Sequence, residues 1–418
     1  MAIALPALIG FGALGAETGV WFTIKLRNQS AADAAAISAA YQVVARKTDI
    51  ASDLTPAASE AATQNGYSGT EPAVIYPYSD NTVSNGVAVT LQQTQGTLLA
   101  SLFLSSLTIR TKAVAVIEVL NNPCILALGT SGTDVEVGDS SRLEAPDCSV
   151  AANSISSTAI SLHGSTSSVV AATLVTQGEV SFQGNPIDPD SPPAELSLTS
   201  RAMIGAPSIL DPYTATLTHA FLTSSISATR ISRSFWNEAA TVKPALYEKG
   251  MSFGARAVVD MLPGVYYVTN GNFSVASGAT VTCKTCTDSY GITVILTSTD
   301  ATTATIGNVQ ISPGTTVTLA APKSGTFSGL LFVQDPLAVS RASTTPDNTL
   351  AGGSGMNLNG LLYFPHTTVG FDGNPSAACT LLITNQLIVE GPSRLSISGC
   401  TSAGLRNLPT VDTVAIAE

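Results

Sequence analysis

Charge is scarce in this chain. Only 11% of its 418 residues are Asp, Glu, Lys or Arg, against roughly 25% in an average soluble domain. Lys and Arg number 18 against 29 Asp and Glu, for a formal charge of -11. With no basic run, the chain has little to neutralise phosphates, which excludes a nucleic-acid-binding protein. Aromatic residues are only 6%, which works against a saccharide groove lined with rings. Three His and six Cys leave little material for a His-built metal or general-base site. Low hydrophobicity is also missing: 44% of residues are hydrophobic and the mean hydropathy is +0.30, which excludes a disordered chain. What fills the sequence is Ala, Ser, Thr and Gly, a composition suited to stacked β-structure at a cell surface. The length fits about two to three domains.

Residues 2–24 (AIALPALIGFGALGAETGVWFTI) carry one charge, Glu17. As a helix they extend about 34 Å, enough to cross a ~30 Å hydrocarbon core. Gly10, Gly12, Gly15 and Gly19 weaken a helix in water but are common in membrane helices. Trp21 and Phe22 sit near the boundary marked by Lys25 and Arg27, as interfacial anchors do. The competing readings are a cleaved signal peptide, which expects a basic segment before the run and an A-x-A site after it, and a buried core helix. The Ala-rich stretch KLRNQSAADAAAISAAYQVVARKTDIASDL lacks Gly and Pro until Pro56. Ala has the highest helix propensity, so both runs are expected to form one helix over roughly 3–50, amphipathic in its second half.

GAETGVWF followed by LRNQSAADAAAISAA resembles the start of TadE/TadG-like proteins of the tight-adherence (Flp-type) pilus assembly system. The matching positions are Glu17, Gly19, Trp21, Leu26, Gln29, Ala31, Ala32, Asp33, Ala34, Ala35 and Ala36. The resemblance implies a transmembrane or pilin-like helix, with Glu17, Trp21, Gln29 and Asp33 as helix-packing and assembly residues. It implies other pilus or pilus-assembly proteins as partners, and a membrane contacted through the helix. Localisation would be single-pass in the inner membrane with a periplasmic domain, or in an extracellular pilus. In a filament, Glu17 is expected to neutralise a neighbour's N-terminal amine or a lysine.

From residue 67 to 120 the pattern changes. GVAVTLQQ and AVAVIEVL read as strands, and QGTLLASLFLSSLTIR between them as a short helix leading into a strand. The expectation is a small α/β module packed on the long helix, similar to the pilin-like module of the family. From about 121, segments such as CILAL, DVEV, CSVAA, AISLH and EVSF recur every 8–12 residues with Gly, Asn or Ser at the breaks. A β-sandwich and a right-handed parallel β-helix both fit. Small polar residues able to stack in ladders favour the β-helix. The Pro-rich, acidic NPIDPDSPPAE and the basic stretch around Trp236 read as a linker or insertion over 186–260. The strand pattern returns from Pro263, where Gly serves corners and Val, Ile and Leu fill a narrow interior. The blocks PGVYY (263–267), APKSG (321–325), GLLF (329–332) and GLLYFP (360–365) also resemble the exported portion of TadG-like proteins. The expected organisation is therefore mainly β with a long N-terminal α-helix. Residues 1–66 are expected as a membrane or pilin-like helix and 67–120 as a small α/β module. A first β-helix section over 121–185 and a second over 261–405 flank the linker at 186–260, and 406–418 form a tail.

An even number of cysteines in an exported region suggests disulfides. Proximity suggests Cys124–Cys148, Cys283–Cys286 and Cys379–Cys400. The first and last gaps are near one β-helix coil, which returns the chain about 4.8 Å away, inside the Cα range of a disulfide, roughly 4.4–6.8 Å. Cys283-Lys284-Thr285-Cys286 follows a strand-like segment and precedes no helix, so a structural bridge is preferred to a redox or zinc site.

No constellation for catalysis stands out. Asp188 and Asp190 lie in a Pro-rich turn, and Asp211-Pro212 is another turn. His163, His219 and His366 are each isolated, and no G-x-S-x-G elbow occurs. AGGSG at 351–355 lacks the Lys-Ser/Thr of a phosphate cradle. No catalytic residue, cofactor or metal ligand is therefore expected. The function expected is structural: a TadG-like minor pilin or assembly factor whose exported β-rich domain serves assembly or adhesion, with a host surface or glycan as a further partner. The alternative is a secreted or surface β-helix enzyme or glycan-binding adhesin acting on polysaccharide.

Overall fold

The computed structural model describes residues 4–46, 51–80, 83, 85–97, 101, 105–119, 123–224, 226, 229–232, 235–287, 289–300, 306–341, 345–352, 355–372, 376–377, 380–391, 394–397 and 412–416, with side chains from residue 15. The chain is mainly β with a long N-terminal helix. It divides into two compact units: 1–120 with 412–418, and 121–411.

The smaller unit is built on two helices, α1 (Ala4–Arg46) and α2 (Ala51–Gln64). The single helix expected over 3–50 is thus followed by a second one, and Pro56 lies inside it rather than ending the helical region. Gly66 explains where α2 stops. Its φ of +81° is open to glycine at little cost, and the amides of Gly66 and Tyr67 reach back to the carbonyls of Thr63 and Ala62, a Schellman cap. Tyr67 then donates its hydroxyl to the Gln92 carbonyl (2.6 Å), tying the cap to the sheet.

That sheet is antiparallel: β1 (Ala73–Tyr78), β2 (Gly86–Gly96), β3 (Ser106–Val119) and the C-terminal strand Asp412–Ile416, in that order. Residues 406–418, expected as a tail, therefore include the fourth strand, which pairs Ile416 with Ala115 and Val414 with Ile117. The helix expected between β2 and β3 falls largely outside the described residues. The alanine pattern accounts for the packing. Ala31, Ala32, Ala35, Ala36, Ala39 and Ala40 are fully buried against Val87, Val89, Leu91, Ala113, Ala115 and Ile117. Small residues at i, i+3 and i+4 form one helix face and let its backbone approach the sheet. Leu54, Ala58 and Ala62 of α2 complete this core.

The larger unit consists of strands paired in parallel, apart from the antiparallel pair of Val180–Phe182 with Asn185–Pro186. Its first strands are β4 (Pro123–Ala127), β5 (Val135–Val137), β6 (Arg142–Ala152), β7 (Ile160–Leu162), β8 (Ser168–Thr176) and β9 (Val180–Phe182). They pair β4–β6–β8 and β5–β7–β9 and form the N-terminal run. The strands after residue 230 pair in the same way and form the C-terminal run. Residues 230–260, expected within the linker, therefore belong to the parallel ladders. Period-two alternation aims one set of side chains inward. One inward column passes in register through Trp236, Phe253, Val275, Ile311, Leu350, Phe371 and Val389, then through Val137, Leu162 and Phe182. Small polar residues form ladders beside such columns, as in Thr241–Asp260–Thr282–Thr318–Asn357.

The column has a seam. Between Val389 and Val137 it passes from the last long strand, Thr380–Val389, to β5; the same strand pairs β4 through Leu382–Ile125 and Ile383–Leu126. The C-terminal run therefore does not continue from the end of the N-terminal run. Its last strands dock instead on β4 and β5, where the N-terminal run begins. Rings fill the interior of the C-terminal run: Phe273 lies 5.3 Å from the Phe253 ring and 5.2 Å from the Phe332 ring, edge to face in both pairs. Phe273 is fully buried, so Phe273→Ala is expected to cost about 3–5 kcal/mol, measured as a lower urea midpoint for loss of β-sheet circular dichroism.

Candidate functional site

The assembly residues expected on α1 fall into two groups. Gln29 and Asp33 act within the unit: Gln29 Nε2 donates to Asp33 Oδ1 (2.9 Å) and to the Lys112 carbonyl of β3 (3.1 Å). These contacts hold the helix on its own sheet, a helix-packing role. Glu17 and Trp21 lie one turn apart and are partly covered. Around them Val20, Phe22 and Leu26 are 58%, 62% and 57% exposed, and nothing lies within 4 Å of a Cβ placed on Gly15 or Gly19. Burial on α1 begins at Asn28. Most of the apolar run 2–24 lies outside the described side chains, and among the described residues no helix is long and apolar enough to cross a membrane.

Two of the expected disulfides are present. Cys124–Cys148 joins β4 to β6 with Cα atoms 5.6 Å apart, and Cys283–Cys286 closes a tight turn at 5.4 Å. In that turn the Lys284 amide donates to Asp260 Oδ1 (2.8 Å), a structural setting with no helix N-terminus to activate a thiol. Cys379–Cys400 lies outside the described residues.

Residues 205–224 run across the ladders as a strap. The Ala206 amide donates to the Thr176 carbonyl. Asn153 clasps Ile209, donating to its carbonyl (2.8 Å) and accepting from its amide (2.7 Å). Asp211 does more than make a turn, because Tyr363 donates its hydroxyl to Asp211 Oδ2 (2.7 Å). Burial, then the Asp211 charge, push the Tyr363 phenol up. Further on, the short helix α3 (His219–Thr223) is pinned by His219 Nδ1 to the buried Asp335 Oδ2 (2.6 Å). Asp335 also accepts from Thr297 Oγ1 (2.5 Å) and the Leu337 amide (2.9 Å). Its oxygens are thus engaged in the fold, and the dyad reads as a clasp. Beside the strap a cavity of about 510 Å³ is lined by Asn153, Gln177, Asp211, Tyr363, His366 and Asn385 among others.

Two of the three histidines expected to be isolated are therefore not, while His366 lines the cavity: His219 pairs with Asp335, and His163 stands among carboxylates. Its Nδ1 lies 3.8 Å from Glu136 Oε1, and one donor atom from each of Glu136, His163 and Glu390 falls within 4.8 Å of the others. Burial raises the Glu136 carboxyl, His163 opposes this, and the Glu390 and Asp139 charges reinforce it. Sequence spacing hides this group, because Glu390 is brought to Glu136 by the seam. Asp188 and Asp190 do form a turn, with the Asp190 amide on Asp188 Oδ1 (3.0 Å) and Arg201 paired to Asp190 (3.1 Å).

No protein-family model matches the chain, and neither a curated protein nor a solved structure does.

Asp134, beside the seam, is buried, and its carboxyl is pushed up to about 7 by burial, against hydrogen bonds from the Ser154 and Asn153 backbone. The folded state therefore holds a proton that the unfolded chain releases near pH 4. The resulting stability is full below that pH and is lost as pH rises through about 7. Asp134→Asn keeps an oxygen for the Ser154 amide without a charge. Its stability relative to wild type is expected to rise on the order of 2–4 kcal/mol between about pH 4 and pH 8, followed by urea unfolding at both pH values.

Proposed function

We propose that the chain is a structural component or assembly factor of a bacterial tight-adherence (Flp-type) pilus, a TadG-like minor pilin. The N-terminal helix anchors it in the inner membrane or the filament, and the larger unit is a right-handed parallel β-helix displayed for assembly or adhesion. The observation that carries this reading is the divided character of α1. From Asn28 onward its alanine face is buried in its own unit, while the described turns before it leave Val20, Phe22 and Leu26 more than half exposed. Exposed apolar residues on a helix continuous with the apolar run call for lipid or other helices as cover. The β-helix reading is supported by long in-register parallel columns, polar ladders and the right-handedness usual for parallel crossovers. The residues matching the TadE/TadG-like pattern occupy this same helix.

A second reading, a glycan-binding module or polysaccharide-acting enzyme, draws on the cavity beside the strap. It is weakened because Tyr363, the tyrosine lining that cavity, is 1% exposed and has no face to offer a sugar. The two readings separate by fractionating cells into inner membrane, sheared filaments and medium. Wild-type chain is expected in membrane or filaments. A Val20→Asp, Phe22→Asp double variant is expected to fold, since both positions are exposed, yet to be lost from those fractions. Wild-type chain found only in the medium, with turnover on a polysaccharide panel, would favour the second reading.

A further inference from the structure

We propose that Glu136, His163 and Glu390 form a binding site for a first-row divalent transition cation, zinc foremost, that staples three neighbouring strands across the seam. The site follows from register. Strand Thr380–Val389 pairs β5 through Ile388–Glu136 and Val389–Val137, and β5 pairs β7 through Glu136–Ser161 and Val137–Leu162. Val389, Val137 and Leu162 are fully buried, so alternation turns Glu136 outward. Glu390 and His163 each follow an inward residue and share that outward side. The position between them is Gly138, and the absence of a side chain there is required. A Cβ on Gly138 would come within 2.3 Å of His163 Nε2, so glycine leaves the imidazole room to lie across the strand toward Glu136.

The spacing suits shared coordination better than a direct pair. At 3.8 Å, His163 Nδ1 and Glu136 Oε1 are beyond hydrogen-bond range. Two donors held at about 2.0–2.2 Å from one zinc ion are at most about 4.4 Å apart. The three donor atoms already fall within 4.8 Å of one another, so small rotations of the glutamates close the set. The Glu390 and Asp139 charges add to that of Glu136, a negative field that a dication offsets. An imidazole with two carboxylates suits Zn²⁺ or Mn²⁺, whereas Mg²⁺ and Ca²⁺ prefer oxygen throughout. His163 and Glu136 are partly exposed (37% and 29%), which leaves coordination positions open to water.

Full-length chain stripped with EDTA is titrated with ZnCl2, and separately with MnCl2 and CaCl2, by calorimetry. The expected result is one equivalent of zinc, weaker manganese and no calcium binding, with a zinc-dependent rise in thermal midpoint. His163→Ala and Glu136→Gln are each expected to weaken zinc binding at least ~10-fold, with unchanged circular dichroism and loss of the thermal shift. Gly138→Ala is expected to weaken it too, by displacing the imidazole. No zinc uptake, or uptake that His163→Ala leaves unchanged, would overturn the proposal.

Discussion

The parallel pairing of strand Thr380–Val389 with β4 and β5 is the contact on which the larger unit depends. It turns two runs of strands, far apart in sequence, into one set of continuous columns. Closing so long a loop carries an entropic cost, and the seam is reinforced accordingly. Its buried face is mostly apolar, from Leu382, Ile383 and Leu387 to Ile125, Leu126 and Val135, with Thr384 buried opposite Ala127. Its margins are tied by polar groups: Ser141 Oγ donates to the Val389 carbonyl (2.7 Å), and Arg394 forks onto Glu144 at 2.8 and 2.9 Å. Asp134 and the Glu136–His163–Glu390 group lie at the same junction, so much of the unusual electrostatics of this chain gathers there.

The strap is the other half of this arrangement. A chain that builds its N-terminal run outward from the seam must travel back across the ladders before it can build the C-terminal run toward the seam. Residues 205–224 make that crossing. Beyond the Ala206 amide, its holding points are specific side-chain contacts: Asn153 on Ile209, Tyr363 on Asp211, Asp335 on His219, and the Phe327 ring 5.8 Å from Phe221.

Local patterns in the sequence carried the elements well. The alanine run from Ala31 to Ala40 announced a helix with a close-packed face, GVAVTLQQ and AVAVIEVL became β2 and β3, and the spacing of Cys124 and Cys148 matched neighbouring parallel strands. Non-local partnership was not legible. Nothing in the residues around Val389 names Val137 as its neighbour, because an apolar strand edge accepts any apolar strand in register. The same limit hid the carboxylates facing His163 and His219, and the return of Asp412–Ile416 to β3. Gly138 was the one local trace of the Glu136 cluster, and a single glycine among 34 reads as a corner. On α1, Gln29 and Asp33 follow the family-like pattern, and Gln29 bridges Asp33 to the Lys112 carbonyl of the same unit.

The seam also has a consequence for biosynthesis. The N-terminal run is made first, and its β4 and β5 edge, including the fully buried segment Pro123–Ala127, has no partner until the ribosome reaches residues 380–389. For most of translation the chain carries an apolar, parallel-pairing edge of the kind that recruits strands from other molecules. A cell making this protein must keep that edge covered, or the chain unfolded, until its last third has emerged.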